Sequence, residues 1–324
     1  MRVLRFLSAL SGLLLLDSAC FAAPGKTVSI TVDDLPYAGG NLTPPLDPKV
    51  SSAAKSINRK LLAALQLHRV PVTGFVIEQR VESLGPAAGT RILKDWIRRG
   101  FDLGNHTYSH PDINELSAEQ IEQEVVRGES TIGPLMNESG KKLAYFRFPM
   151  NHTGDTKVKH DAIASFLAQR GYQLATCTID TSDYLFNDSY IRMLAKKDGV
   201  AAQKLRMEYL AYTKAEIDYY AALSKQVFGY EPPQVMLLHA NRLNADVIEQ
   251  VLRLFEEKQY QFVSLEVAQS DAAYRTSDTY ITRFGPMWGY RWAKERNIKV
   301  NGNLEPDPPK WILDYGKTSA TQAP

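Results

Sequence analysis

Hydrophobic and polar positions alternate along the chain in two patterns. Helical spacing of apolar residues occurs at 49–68, at 92–99, from 117 onward and at 158–170. Short apolar runs typical of buried strands occur at 28–32, 72–77, 101–104, 144–148, 173–178, 235–238 and 261–263. Strands that alternate with helices pair in parallel through right-handed crossovers. The sequence therefore predicts an α/β chain of seven strands, closed as a barrel or, as the alternative, open as a doubly wound sheet.

Two regions do not fit a minimal barrel. Residues 185–230 are rich in Ala and Tyr and predict a helical insertion between two strands. Residues 276–324 form a C-terminal extension that contains three of the four tryptophans. We therefore divide the chain into a leader (1–22), a barrel (23–275) and an extension (276–324).

Polar residues that can hold a metal ion follow two of the predicted strands. His106 and His110 stand four residues apart after the run at 101–104, and Asp33 and Asp34 end the run at 28–32. Imidazole is a common ligand of divalent metals, and a catalytic site needs three protein ligands and one open position. One carboxylate of the Asp pair can supply the third ligand while the other stays free as a base. Taken alone, the two histidines are also typical of a surface pair or of unrelated core residues. The Asp-Asp dipeptide alone is also typical of a solvated turn or helix cap.

Together these residues resemble the first two motifs of the polysaccharide deacetylases, carbohydrate esterase family 4. The motifs read Thr-Val-Asp-Asp-Leu-Pro at 31–36 and His-Thr-Tyr-Ser-His-Pro at 106–111. The resemblance implies a distorted (β/α)7 barrel of parallel strands with the site at the strands' carboxyl ends. It also implies that Asp34, His106 and His110 bind the metal and that Asp33 is the catalytic base.

Residues 146–151, Phe-Arg-Phe-Pro-Met-Asn, resemble the third motif of the family. The resemblance implies that Arg147 pairs with Asp33 and that the backbone N–H of Met150 is an oxyanion-hole donor. Asn151 stands where the family usually has Gly. An Arg at a strand end is also commonly a structural ion-pair residue.

Two further motifs complete the resemblance. Residues 180–184 resemble the fourth, in which Asp183 would hold the catalytic imidazole and Tyr184 replaces a Trp of the substrate groove. Residues 235–239 resemble the fifth, which implies His239 as general acid and Leu237 as the wall of the acetyl pocket. Asp180 is interpreted as a turn carboxylate.

The five motifs occur in the family's order over residues 27–265. Besides the changes at 151 and 184, Val32 replaces an aromatic residue and Leu35 replaces a Gly. All four departures alter the groove and leave the reacting groups in place. Tyr209, Tyr212, Trp288 and Tyr290 have two interpretations, packing against the barrel or stacking on sugar rings.

The N-terminus predicts a signal peptide. Arg2 and Arg5 precede an apolar run at 6–16 that is too short to span a membrane, and small residues follow near 22. A lipoprotein anchored through Cys20 is the alternative. Without residues 1–22 the chain has 36 basic and 35 acidic residues, so its charge gives no indication of nucleic-acid binding. Cys177 is then the only cysteine, which excludes an internal disulfide.

The sequence therefore predicts an exported, metal-dependent hydrolase that removes acetyl groups from an oligo- or polysaccharide. N-acetyl amino sugars are the favoured substrate, and O-acetyl esters of a xylan-type polysaccharide are the alternative. From another class, an inactive carbohydrate-binding protein also remains. Zinc suits the ligand set, and cobalt and nickel do so too.

Overall fold

The computed structural model describes residues 25–39 and 48–317. The predicted signal peptide and Cys20 lie outside these ranges. Seven strands form one sheet, in which every pair of neighbours is parallel. They are β1 (Thr27–Leu35), β2 (Val72–Val76), β3 (Asp102–Asn105), β4 (Tyr145–Phe146), β5 (Gln173–Leu174), β6 (Gln234–His239) and β7 (Gln261–Phe262).

Twelve α-helices surround the sheet in the described part of the chain. They are α1 (Pro48–Leu67), α2 (Glu78–Ser83), α3 (Pro86–Arg98), α4 (Ala118–Arg127), α5 (Ile132–Glu138), α6 (Lys157–Gln169), α7 (Asp183–Ala195), α8 (Gly199–Phe228), α9 (Arg242–Glu257), α10 (Leu265–Gln269), α11 (Trp288–Glu295) and α12 (Lys310–Asp314). None of these helices is long and apolar enough to cross a lipid bilayer.

The sheet curves into the distorted barrel that the sequence predicts. Its strand order is β5-β4-β3-β2-β1-β6, and β7 pairs with the start of β1. After β5 the chain crosses from one edge to the other, because Ala175 N–H donates to Phe146 of β4 and Ile179 bridges to Met236 of β6. The prediction of a barrel of parallel strands is confirmed.

Strand β1 lies at the centre of this arrangement. Val28, Ile30 and Val32 are completely buried, and the strand pairs with β2 on one side and β6 on the other. Ser29 and Thr31 are also completely buried, so the strand is covered on both faces. Because all strands run in the same direction, the polar residues after them meet at one end of the barrel.

Several element boundaries differ from the predicted ones. Strands β4 and β5 have two residues each, where longer strands are expected, because the chain turns at Pro149 and crosses between sheet edges after Leu174. Helices α2 and α5 are not predicted, since six or seven residues are too few to show helical periodicity. Ser117 and Gln120 form the predicted capping box at the start of α4.

The aromatic residues of the insertion and extension pack against the barrel. Tyr209, Tyr212 and Trp288 are buried. The hydroxyl of Tyr290 bonds to Tyr219 and donates to Glu305. This geometry agrees with the packing interpretation and leaves no face of the three buried rings open to a sugar.

Gly74 provides a test of how tightly β2 packs. A Cβ at this position would lie 2.2 Å from Leu35 Cδ1 and 3.3 Å from the Trp96 ring. We predict that Gly74→Ala lowers the free energy of unfolding by about 1–3 kcal/mol because the buried site is overpacked.

Gly133→Ala is the matched control, since a Cβ there meets nothing closer than 3.8 Å. In helix α5 this change should be neutral or stabilise the protein by up to about 1 kcal/mol. Urea unfolding of the three proteins checks both values. Equal stability of Gly74→Ala and the wild type would contradict the packing described for β2.

Candidate active site

A cavity of about 440 Å³ opens at the carboxyl ends of the strands. Eight of the ten site residues predicted from the sequence line it: Asp33, Asp34, His106, His110, Met150, Tyr184, Leu237 and His239. The other two, Arg147 and Asp183, lie behind this wall and contact Asp33 and His239. The structure thus brings all ten residues to one place.

Asp34, His106 and His110 form a group that can hold a metal ion. Asp34 Oδ1 lies 3.7 Å from Nε2 of each histidine, too far for a hydrogen bond. Two atoms that each lie about 2.1 Å from one tetrahedral ion are about 3.4 Å apart, so this spacing is close to that of metal ligands. Asp34 Oδ1 is buried and has no hydrogen-bond partner. An oxygen left in this state fits a ligand whose partner is a cation.

His106 is held in the form that binds a metal. Its Nδ1 lies 2.9 Å from the carbonyl oxygen of Arg147, which makes Nδ1 the protonated nitrogen and leaves the lone pair of Nε2 free. Burial is the main cause that lowers the pKa of His106 to about 4. The ring is therefore neutral at physiological pH, as a ligand must be.

Asp34 is oriented by its backbone and by Arg80. Its φ of 65° is unusual for a residue with a side chain, and its second oxygen lies 3.4 Å from the guanidinium of Arg80. Burial would raise the pKa of Asp34, but the charge of Arg80, followed by those of the nearby histidines, lowers it to about 2. The carboxylate therefore stays ionised in a buried position.

Asp33 points to the same region with one oxygen fixed and one available. Nη1 of the completely buried Arg147 donates to Asp33 Oδ1 and to Thr31 Oγ1, both at 2.7 Å. Asp33 Oδ2 lies 3.8 Å from His106 Nε2, beside the candidate metal position. A carboxylate oriented in this way can accept a proton from a water molecule in the cavity.

His239 is held from behind by Asp183. The distance from His239 Nδ1 to Asp183 Oδ1 is 2.6 Å, and the backbone N–H of His239 donates to Asp183 Oδ2 at 2.8 Å. Burial would lower the pKa of His239, but the charge and hydrogen bond of Asp183 outweigh it and raise the pKa to about 10. The imidazolium is thus available as a proton donor at neutral pH.

The remaining predicted residues shape the cavity wall. Met150 has left-handed backbone angles (φ 55°, ψ 15°), and its side chain is 45% exposed. Tyr184 is half exposed, with its ring centroid 6.1 Å from that of His239, while Leu237 is buried at the cavity floor. Leu237 thus gives the cavity wall an apolar surface.

Left-handed backbone is concentrated at this end of the barrel. Ten non-glycine residues of the described ranges have positive φ, and six of them lie at strand ends or in loops around the cavity: Asp34, Thr107, His110, Met150, Asn151 and Ser182. Each such conformation has a cost, and strained residues often cluster at functional sites. The loops are therefore held in fixed, unfavourable shapes around the predicted ligands.

Some cavity residues are missed by sequence reasoning. Arg80 follows β2 closely, so its place after a strand end was a usable signal. Asp180 caps a turn through Ser182 N–H, as predicted, and also lines the cavity. Gly285 and Met287 line it from the C-terminal extension, and no motif marks them.

His152 lies apart from these residues. Its Nδ1 lies 2.8 Å from Asp112 Oδ1 and 2.9 Å from Asn114 Nδ2, and it does not line the cavity. Its proximity in sequence to Met150 therefore does not place it in the reaction centre.

Part of the chain matches a known protein family. Residues 22–175 match the sequence model of the polysaccharide deacetylase family. A chitin deacetylase of Arthroderma benhamiae is 29% identical over 29% of this chain and 23% of that protein. A peptidoglycan-N-acetylglucosamine deacetylase of Bacillus cereus is 22% identical over 39% of this chain and 40% of that protein. The chain thus spans less than half the length of either relative.

The fold has a counterpart among solved structures. A family 4 carbohydrate esterase pseudoenzyme from Bacillus anthracis is 15% identical and has a TM-score of 0.50, over 76% of this chain and 66% of that one. This likeness shows that the two chains share a barrel fold. The sequence likeness to the polysaccharide deacetylase family thus covers residues 22–175, a little under half of the chain.

The ligand group predicts how metal binding responds to mutation. We expect His106→Ala and His110→Ala to lose bound zinc, because each removes one of three ligands, while far-UV circular dichroism stays that of the wild type. His152→Ala is the control, since this histidine is bonded to Asp112 outside the cavity. Zinc per chain is measured by inductively coupled plasma mass spectrometry. Full zinc occupancy in either ligand variant would contradict the assignment.

Proposed function

We propose that the protein is an exported, metal-dependent hydrolase that removes acetyl groups from a carbohydrate. One observation carries the proposal. Three groups with different roles face a single cavity: the metal-binding group, a carboxylate fixed by Arg147, and the imidazole paired with Asp183. A protein that only binds sugars has no need of a base, an acid and a ligand set at one point.

Asp34, His106 and His110 would hold the ion. A divalent metal bound there would polarise the acetyl carbonyl and lower the pKa of a water molecule. Zinc suits two imidazoles and one carboxylate, and cobalt and nickel suit them as well. Arg80 fixes the outer oxygen of Asp34, so that Oδ1 is the atom presented to the ion.

Asp33 acts as the general base in this proposal. Arg147 binds its Oδ1 and fixes the orientation of the carboxylate, and Oδ2 accepts a proton from the water that attacks the acetyl carbon. The backbone N–H of Met150 donates a hydrogen bond to the oxyanion that develops on that carbon. His239 then protonates the departing group, with Asp183 orienting its ring.

N-acetyl amino sugars are the favoured substrate. The names of the two curated relatives describe action on chitin and on the N-acetylglucosamine of peptidoglycan. An amine is a poor leaving group unless it is protonated, and the raised pKa of His239 supplies a protonated acid at neutral pH. Export is proposed from the predicted signal peptide at 1–22.

Acetate release from a panel of substrates tests the proposal. Chitin oligosaccharides, peptidoglycan fragments and acetylated xylan are incubated with zinc-loaded protein and with protein treated with a chelator. We expect acetate from the N-acetyl substrates and none after chelation. Release from xylan alone would favour the O-acetyl alternative, and binding of glycans without any acetate would favour an inactive binding protein.

The role of Asp33 predicts a separation of catalysis from metal binding. Asp33→Asn keeps the size of the side chain but cannot accept the proton, so kcat should fall by about 10²–10⁴ with zinc still bound. Asp112→Asn, which changes a carboxylate outside the cavity, is the control. Near-normal turnover in Asp33→Asn would assign the base to another group.

The role of His239 predicts a dependence on the leaving group. His239→Ala should lose about 10²–10⁴ in kcat/KM on N-acetyl sugars but retain a larger fraction on an activated acetyl ester, whose phenolate leaves without a proton. Asp183→Asn should show a milder form of this pattern. The ratio of mutant to wild-type kcat/KM is measured on both substrates. Equal losses would mean that His239 binds substrate or supports the structure.

A further inference from the structure

Part of the C-terminal extension forms a wall of the active-site cavity. We call residues 278–291 the clamp segment. Gly285 and Met287 of this segment line the cavity together with Met150 and Asn151, from which they are separated by more than 130 residues of sequence. The barrel and the extension therefore share one site.

Gly285 makes the closest approach of the clamp segment to the Met150 loop. A Cβ at this position would lie 1.8 Å from the Met150 carbonyl oxygen and 2.9 Å from its carbonyl carbon. These atoms belong to the backbone and cannot rotate away as a side chain can. The backbone of Gly285 does not have a left-handed φ, so its conformation does not require a glycine. The close contact with the Met150 backbone does.

Arg291 holds the same loop from the other side. Its side chain is completely buried, and Nη1 donates to both carboxylate oxygens of Asp278 at 2.9–3.0 Å. Nη2 donates to the carbonyl oxygen of Asn151 at 3.4 Å, and the guanidinium lies 5.1 Å from the Trp288 ring centroid. A buried guanidinium held by several hydrogen bonds has little freedom to move, so it fixes the position of the carbonyl that it binds.

The Met150 loop needs such support. Met150 and Asn151 are consecutive residues with positive φ, a conformation that costs roughly 1–2 kcal/mol for each residue with a side chain. Within the loop, Asn151 N–H donates to Phe148 and His152 N–H donates to Pro149. Neither of these bonds uses the carbonyl oxygen of Met150 or of Asn151. The clamp segment contacts both carbonyl groups, through Gly285 and Arg291.

We propose that Gly285 and Arg291 are positioning residues for the oxyanion-hole donor. By fixing the carbonyl groups of Met150 and Asn151, they restrain the backbone torsion angles at Met150 and so aim the N–H of the adjoining Pro149–Met150 peptide at the acetyl carbonyl oxygen. This inference rests on the proposed deacetylase function for its catalytic consequence. The predicted extension is then a working part of the reaction centre, and Met287 adds an apolar side chain to the cavity wall.

The matched pair Gly285→Ala and Gly302→Ala tests the inference. Gly302 lies in the same extension, and a Cβ there meets nothing closer than 3.6 Å. With the zinc-loaded full chain and N-acetyl chitin oligosaccharides, Gly285→Ala should lower kcat about 10- to 100-fold, because the oxyanion donor is displaced. KM should change less than about threefold and zinc per chain should be unchanged, since neither ligands nor leaving-group contacts move. Gly302→Ala should match the wild type.

Hydrogen exchange of the amides in 146–153 is measured on the same proteins without substrate. Exchange should be at least about tenfold faster in Gly285→Ala than in Gly302→Ala, because a freed loop opens more often. Arg291→Lys keeps the charge but loses the planar guanidinium and its paired N–H donors, so it should show the same faster exchange. It replaces Gly285→Ala in the test if that variant does not fold.

Wild-type kcat or wild-type exchange in Gly285→Ala would overturn the positioning role, as would an equal loss in Gly302→Ala. A wild-type protein that releases no acetate, but whose loop exchange still depends on residue 285, would instead contradict the proposed function.

Discussion

The buried contact between Arg147 and Asp33 is the interaction on which the active centre depends. The guanidinium is completely buried, and it donates hydrogen bonds to Asp33, the Thr31 hydroxyl and the carbonyl of Ala175. The backbone carbonyl of Arg147 in turn accepts a hydrogen bond from His106 Nδ1. One residue at the end of β4 thus fixes the proposed base on β1 and the tautomer of a proposed ligand after β3. Burying such an ion pair costs desolvation energy and brings little net stability, so we attribute its presence to the geometry and charge that it imposes.

The loops around this contact share a second constraint. Asp34, His110, Met150 and Ser182 all have left-handed backbone, at the ends of separate strands or in the loops that follow them. Such residues persist only where surrounding structure fixes them. The parallel strands that precede these loops support them, and the C-terminal extension also supports the Met150 loop. Fold and site are therefore linked energetically, because the barrel and the extension offset the cost of loops that hold reactive groups.

Much of this organisation could be predicted from the sequence. Apolar runs alternating with helices predicted parallel strands, and the family resemblance favoured a barrel over an open sheet. Because parallel strands end at the same face, Asp34, His106 and His239 were placed together at that end. Arg80 follows a strand by the same rule and was overlooked. Gly285 and Arg291 could not be found in this way, since their role depends on where a distant segment folds back. The short lengths of β4 and β5 could not be predicted from the spacing of hydrophobic residues either, because the crossing of the chain between sheet edges has no periodic sequence pattern.

We propose that Asp34, His106 and His110 form a single metal centre beside Asp33. Anomalous diffraction from crystals grown with zinc, collected above and below the zinc absorption edge, tests it most directly. We expect one strong difference peak, about 2.0–2.2 Å from Asp34 Oδ1 and from Nε2 of both histidines, with Asp33 Oδ2 beside it and not bound to the ion. A zinc ion held by other residues, or no peak at this position with saturating zinc, would show that these three residues are not the metal ligands.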